Sequence, residues 1–380
     1  MDTIQKKQVL HFAFALYRYF PHGGLQKDFL RTLRATLDRG HRVTVFVACC
    51  EAPLPEHEGL TLRILPVKGF SNHRKMLSFA CAVQQELNAG NFDASLMFSR
   101  IPGGDFYFAA DNCIAVDWAK QHHPLILHLL PRYRAFLGLE RAVFAGEKPC
   151  RIFALSPQQI LDYQAVYRTP QERFLPIPAG IDPNCRRPDG VPEIRSAVRK
   201  QFQIPGNAIL LVQVAAQFEV KGVDRTIRAL AAQQNPDLYL LVAGGGKIAR
   251  YRAIAEKYRV ADRVIFAGAS SEIPRLLAAS DLMIHPARKE ATGTVITEAL
   301  AIGIPVIASE ICGYAHYAAE LEEHLVIPEP FVQEECNAVL SYALAHLPEL
   351  SAKAQSPDLP RDFYRRAEVI VDHLENAVRS

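Results

Sequence analysis

Short apolar blocks alternate along the chain with longer segments of helical spacing. Val9–Leu16 is an apolar, β-forming run. Leu25–Arg39 sets Leu25, Phe29, Leu33 and Leu37 at helical intervals and stops at Gly40, and Val43–Val47 forms a second strand. Strand, glycine turn, helix and strand in that order make a βαβ unit, hence a parallel sheet. Thr61–Pro66, Ala94–Phe98, Arg151–Leu155 and Phe174–Pro178 read as further strands, with a helix over Lys75–Asn88. The Pro- and Asp-containing stretch Asp182–Glu193 reads as a linker. Beyond it a second βα series begins. Its strands are Ala208–Val214, Leu238–Val242, Val264–Ala267, Leu282–His285 and Pro305–Ala308; its helices include Val223–Gln233, Ala249–Tyr258 and Ile273–Ala279. The expected class is α/β with two domains, 1–180 and 181–360, and an amphipathic terminal helix, 361–380, packing back on the first. A length of 380 residues agrees, being long for one core.

Candidate chemistry gathers where strands meet loops, because open α/β sheets bind ligands at their carboxyl ends. His285–Ser309 is the richest such stretch: a polar loop with Glu290 runs into an apolar helix carrying Glu298. A helix start of this kind suits phosphate through its amides and macrodipole, and two carboxylates beside it suit hydroxyls. Together they point to a nucleotide-sugar, although a surface turn with two solvated glutamates fits the same residues. Gly23-Gly24 follows the first strand and permits close backbone approach, as would an unliganded tight turn. Ser99–Asp105 is taken as another carboxyl-end loop, with Arg100 and Asp105 facing the same cleft as Gly23 or pairing to close the turn.

Composition narrows the alternatives. A net charge of +3 argues against a dedicated nucleic-acid binder. No apolar run approaches the roughly 20 residues that span a bilayer, and the N-terminus reads as a first strand, not a signal peptide. Eight cysteines without C-x-x-C spacing suit reduced thiols in a cytosolic protein. No G-x-G-x-x-G follows the first strand of either domain, which disfavours a dinucleotide enzyme. Lys120–Arg141 mixes four Lys/Arg and one Glu with Leu125, Leu129, Tyr133 and Phe136. That pattern fits either an ordinary helix pair or a segment facing an anionic membrane surface.

Several stretches carry a resemblance. Glu290-x7-Glu298, followed by Gly303-Ile304-Pro305 and preceded by Lys221-Gly222-Val223-Asp224, resembles the retaining GT-B glycosyltransferases of the glycosyl transferases group 1 type. Leu16–Phe29, Gly104–Asp111 and Cys312–Tyr317 are similar to the lipopolysaccharide core glucosyltransferases within it. The resemblance implies two Rossmann-like domains facing each other across a cleft. It also implies retaining transfer of a hexose from a UDP-sugar, UDP-glucose foremost, to the heptose region of a lipopolysaccharide core, with no metal or other cofactor. Glu298 would hold the ribose and Glu290 the sugar. Lys221 and the amides of Ala291, Thr292, Gly293 and Thr294 would hold the diphosphate, with Gly23 and Gly24 closing on it. Gly244, Arg225 and Arg100 join the donor-side residues, Asp28 and Asp105 the acceptor side. The enzyme would be cytoplasmic and peripheral on the inner membrane face, with Lys120–Arg141 towards the lipid. One departure stands out. The family commonly places an Arg ahead of the phosphate-binding Lys, whereas Ala215–Val220 has none and contains Glu219. This leaves open a related transferase using UDP-N-acetylhexosamine or another donor, or an inactive nucleotide- or glycan-binding scaffold.

Overall fold

The apolar blocks of the first half line up in one seven-stranded parallel sheet. The structure, a computed structural model, describes residues 8–21, 23–119, 129–146, 150–356 and 362–379. They form two compact units, one of 1–180 with 365–380 and one of 181–364.

In the first unit the elements are β1 (His11–Tyr19), α1 (Gly24–Asp38), β2 (Arg42–Cys50), β3 (Leu60–Ile64), α2 (Asn72–Ala89), β4 (Ala94–Met97), β5 (Phe106–Ala109), α3 (Ile114–Ala119), α4 (Pro131–Phe144), β6 (Arg151–Ala154), α5 (Pro157–Tyr167) and β7 (Phe174–Pro176). The strand order is β3-β2-β1-β4-β5-β6-β7. β1 is covered on both faces, which is why it reads as an unbroken apolar run. Phe12, Phe14 and Leu16 pack towards Leu33 and Leu37 of α1 and towards Ile370 and Leu374 of the terminal helix Arg366–Arg379. The small Ala13 and Ala15 face Phe79 and Val83 of α2 and Val143 of α4. His41 is buried between Leu10, whose amide donates to its Nδ1 at 3.2 Å, and Glu375 Oε1, 2.9 Å from its Nε2, which pins the terminal helix.

The second unit contains α6 (Val191–Gln201), β8 (Ile209–Ala215), α7 (Val223–Ala232), β9 (Leu238–Gly244), α8 (Ile248–Lys257), β10 (Val264–Gly268), α9 (Ile273–Ala278), β11 (Leu282–His285), α10 (Thr294–Ile302), β12 (Val306–Ser309), α11 (Ala315–Leu321), β13 (Val326–Ile327), α12 (Gln333–Ala345) and α13 (Leu347–Gln355). Its sheet runs β10-β9-β8-β11-β12-β13, with parallel pairings. This is the Rossmann order, and it reverses direction between β8 and β11. The first unit reverses in the same way between β1 and β4.

Four elements depart from the sequence reading: β5, directly after the Ser99–Asp105 loop, and α3, α5 and α6 are not foreseen in it, and α6 begins within the stretch read as linker. Of Lys120–Arg141, residues 120–128 lie outside the described ones, and most of the remainder is α4, with Tyr133 stacked on Trp118 at 5.1 Å. No helix among the described residues is long and apolar enough to cross a membrane.

Candidate functional site

The loops after β8 and β11 flank the point where the second sheet reverses, and both carry charge into it. From the β8 side comes Lys221, and from the β11 side Glu290. The Lys221 ammonium pairs with Glu290 Oε2. His285, the last residue of β11 and fully buried, donates from Nε2 to the same oxygen at 3.2 Å. Burial pushes the Glu290 carboxyl up, but the His285 hydrogen bond and the Lys221 charge outweigh it and bring it from 4.5 to about 2. Glu290 is therefore a carboxylate at any physiological pH, an acceptor that cannot donate.

Backbone geometry locks the two loops together. Gly222, at φ +69°, caps α7, and a Cβ there would come 2.0 Å from the Pro286 carbonyl oxygen. Gln213 Nε2, from within β8, donates to the Lys221 carbonyl at 2.6 Å. The Arg288 amide donates to Val220 O at 2.8 Å, and its guanidinium grips both Asp224 oxygens at 2.7 Å and the Glu219 carbonyl at 2.9 Å. Replacing Gly222 with Ala is expected to cost at least about 2 kcal/mol, since it combines a left-handed backbone with a clash against main chain. The drop in thermal midpoint measures it; an unchanged midpoint would mean that the two loops are not locked here.

The polar loop then opens α10. Gly293 occupies its N-cap at φ +86°, and the amides of Ala291, Thr292, Gly293 and Thr294 lead into the first turn. The Thr292 carbonyl is held by the Tyr314 amide at 2.8 Å, which ties this loop to the segment after β12. A Cβ on Gly293 would lie 3.3 Å from Glu290 Cγ and 2.9 Å from Ile296 Cδ1, so the tight cap keeps the Glu290 stem in place. Glu298 sits in the second turn of the same helix, and burial together with its charge pushes the Cys185 thiol up to about 12. Gly244 ends β9 beside Ala215, the last residue of β8. Lys221, the 291–294 amides, Gly244 and the two glutamates thus all sit on strand ends or the loops and helix that follow them.

Other candidates are used differently. Arg225 is turned away from Lys221 in function: its guanidinium donates to the Pro286 and Ala287 carbonyls at 3.2 Å and stacks over Phe331 at 3.5 Å, so it braces the β11 loop. Arg100 does not present a cation at the end of the first sheet. Its guanidinium is buried against Glu140, 3.3 Å away, and donates to Asn112 O at 2.7 Å. Asp105 is corrected most fully. It immediately precedes β5, and its Oδ2 accepts from the Ser95 amide at 2.8 Å and the Ser95 hydroxyl at 2.7 Å. That places it at the amino end of the sheet, opposite the end that carries Gly23, where it closes the short β4–β5 crossover. Asp28 lies on α1 and pairs with Arg366 at 3.0 Å; burial pushes its carboxyl up while Arg366 and Arg31 pull it down. Gly23 caps α1 and Gly24 starts it, at the carboxyl end of β1.

His285 is a residue that the sequence reading missed, since it looked like the end of a strand. The available signal was a histidine closing an otherwise apolar strand five residues before the loop glutamate. The charge departure also looks different in three dimensions. Glu219 is exposed and its carboxylate pairs with Arg250 at 3.2 Å, while Arg288 brings a guanidinium to the β8 loop from the other side. Among the described residues no group of three or more His, Cys, Asp or Glu is set to hold a metal ion.

A model of the glycosyl transferases group 1 family matches residues 194–354. Over 347 residues the chain is 39% identical to the lipopolysaccharide glucosyltransferase WaaG of Escherichia coli (strain K12), covering 90% of this chain and 92% of that protein. It is 25% identical over 345 residues to a D-inositol 3-phosphate glycosyltransferase of Stackebrandtia nassauensis, covering 80% of this chain and 75% of that one. The crystal structure of WaaG, a glycosyltransferase involved in lipopolysaccharide biosynthesis, superposes with a TM-score of 0.79 at 37% identity, over 96% of this chain and 99% of that one.

Proposed function

This chain belongs to the glycosyl transferases group 1 family and is a glycosyltransferase of the GT-B fold, and from that premise we propose that it transfers glucose from UDP-glucose to the heptose region of a lipopolysaccharide inner core, with retention and without a metal ion. The observation that carries the reading is the Lys221–Glu290–His285 constellation at the reversal of the second sheet. The ammonium and the α10 amides meet the charge that develops on the leaving diphosphate. Fixed dipoles and one cation do this without reorganising during the reaction, which is what makes such stabilisation effective. Glu290, always ionised, accepts hydrogen bonds from hexose hydroxyls, and Glu298 takes those of the ribose.

In the reaction the bond from the anomeric carbon to the phosphate oxygen breaks, its electron pair leaving with UDP. The acceptor hydroxyl attacks from the same face through an oxocarbenium-like state, and its proton passes to the departing phosphate oxygen. No carboxylate of this chain is assigned as a covalent nucleophile. The acceptor belongs to the first unit in this reading, on the cytoplasmic side of the inner membrane, with Lys120–Arg141 towards the lipid.

Calorimetric titration with a panel of UDP-sugars, followed by product assay on a heptose-terminated core acceptor, tests the proposal. UDP-glucose is expected to bind and turn over equally well with and without EDTA. Binding without turnover would leave a nucleotide-binding scaffold, turnover only with UDP-N-acetylhexosamine would change the donor, and loss of rate in EDTA would reject metal independence.

A further inference from the structure

Lys221 and Glu290 answer to different parts of a sugar nucleotide, yet in the structure they are occupied with each other. The Lys221 ammonium pairs with Glu290 Oε2, and both side chains are largely buried, at 19% and 15% exposure. The same oxygen lies 3.2 Å from His285 Nε2. An ammonium held in this way does not turn its charge to a phosphate. A carboxylate oxygen that already serves two donors has little capacity left for a hydroxyl.

The two partners are not equally free to move. Glu290 is held on two sides. His285 closes β11 and is fully buried, and the stem of Glu290 lies against the α10 cap, where a Cβ on Gly293 would stand 3.3 Å from Glu290 Cγ. Lys221 is held in its backbone. Its amide donates to Gln217 O at 3.0 Å, and its carbonyl accepts from Gln213 Nε2 at 2.6 Å. Beyond Cα it is a flexible four-carbon stem ending in three rotatable donors. Among the described residues, the ionic partner of that ammonium is Glu290. When the pair parts, Lys221 is the member that swings, and Glu290 stays with His285.

We propose that the Lys221–Glu290 ion pair is a latch that makes recognition of the hexose conditional on a diphosphate. It rests on the donor reading given above and adds an order of events to it. A diphosphate draws the ammonium away, because it carries more charge than one carboxylate and the α10 amides favour the same anion. Glu290 is then left beside an anion with its cation withdrawn. That is unfavourable for a largely buried carboxylate unless new donors replace the ammonium. The hexose of a sugar nucleotide brings such hydroxyls on the same molecule. Free hexose meets the latch closed, and UDP alone opens it without replacing the lost partner. The site thereby selects hexoses linked to a diphosphate. After transfer the bare carboxylate draws Lys221 back and loosens the hold on UDP.

Calorimetric titration of the full chain, with no acceptor present, tests the latch. Glu290→Gln is expected to tighten UDP by roughly tenfold, within the range of coupling between charged groups in contact, and to leave uridine unchanged. Direct repulsion between Glu290 and the diphosphate would give the same sign, so the Lys221→Met background decides. There the gain from Glu290→Gln is expected to fall to about twofold or less. The wild-type chain supplies a second measurement that needs no variant. Saturating UDP is expected to tighten free glucose by roughly tenfold, and glucose to tighten UDP by the same factor, as linkage requires. The latch is overturned if Glu290→Gln binds UDP no better than the wild type, if its full gain survives Lys221→Met, or if UDP and glucose bind the wild type independently. A wild-type chain that ignores UDP overturns the donor reading and the latch together.

Discussion

Glu290→Ala is expected to lower kcat by about 10²–10³-fold, the range for removing one preorganised electrostatic group from an active site. In the folded protein its carboxylate holds two groups at once, Lys221 and the buried His285. Cutting it back leaves an imidazole with no exposure and an ammonium without their partner, at about 1–3 kcal/mol of stability. The loss of rate and a modest loss of stability therefore come together. Glu290→Gln isolates the charge, because the amide oxygen still accepts from His285 while the ion pair with Lys221 is lost. The pH dependence has a definite sign. The carboxyl lies at about 2 in the folded chain against 4.5 ordinarily, so its contribution is fully present above about pH 4.5 and disappears as the pH falls through 2. At neutral pH it amounts to about 3 kcal/mol. Unfolding in denaturant at pH 7 and pH 3 should show the wild type and Glu290→Gln converging at the lower pH. Turnover retained in the Ala variant would reject Glu290 as a site residue.

Arg100→Ala should be among the most destabilising single changes in the first unit, at about 3–5 kcal/mol. The reason is Glu140, which has no exposure, accepts from the Ile114 amide at 2.8 Å and the Tyr167 hydroxyl at 2.8 Å, and forms an ion pair with the Arg100 guanidinium at 3.3 Å. Removing the cation leaves a carboxylate in the interior without its countercharge. An Arg100→Met, Glu140→Gln double variant should recover much of the loss, since it removes the uncompensated charge while the side-chain amide still hydrogen-bonds the buried Ile114 and Tyr167 groups. Equilibrium denaturation of the single and double variants decides the matter. If Arg100→Ala keeps its stability and instead weakens nucleotide binding, Arg100 belongs to the donor site and the interior role is wrong.

The contrast between Glu290 and Arg100 shows what the sequence makes legible. Periodicity exposed the alternation of strands and helices, because each βα step buries its own local pattern. It also put Lys221, Gly244 and Glu290 just after strands or at their ends. One short segment defeated it. β5 has four residues and follows β4 through a tight crossover with no helix, so Gly103-Gly104-Asp105 looked like the mouth of a loop. In fact the chain has already returned to the level of Ser95, and Asp105 faces the wrong end of the sheet. Arg100 and Glu140 are 40 positions apart in sequence, and no local pattern links them. His285 was invisible for a related reason: its role depends on which loop crosses the strand end, a tertiary property.

The terminal helix has a consequence for the order in which the protein is made. Ile370 and Leu374 fill the first unit's core, and Glu375 meets His41, yet this helix is synthesised after all of the second unit. On the ribosome the usual sequence, in which the amino-terminal domain matures first, is inverted. Residues 181–364 are complete as a unit once Tyr364 has emerged, while one face of the first sheet stays only partly covered, by α1, until Arg366–Arg379 arrives.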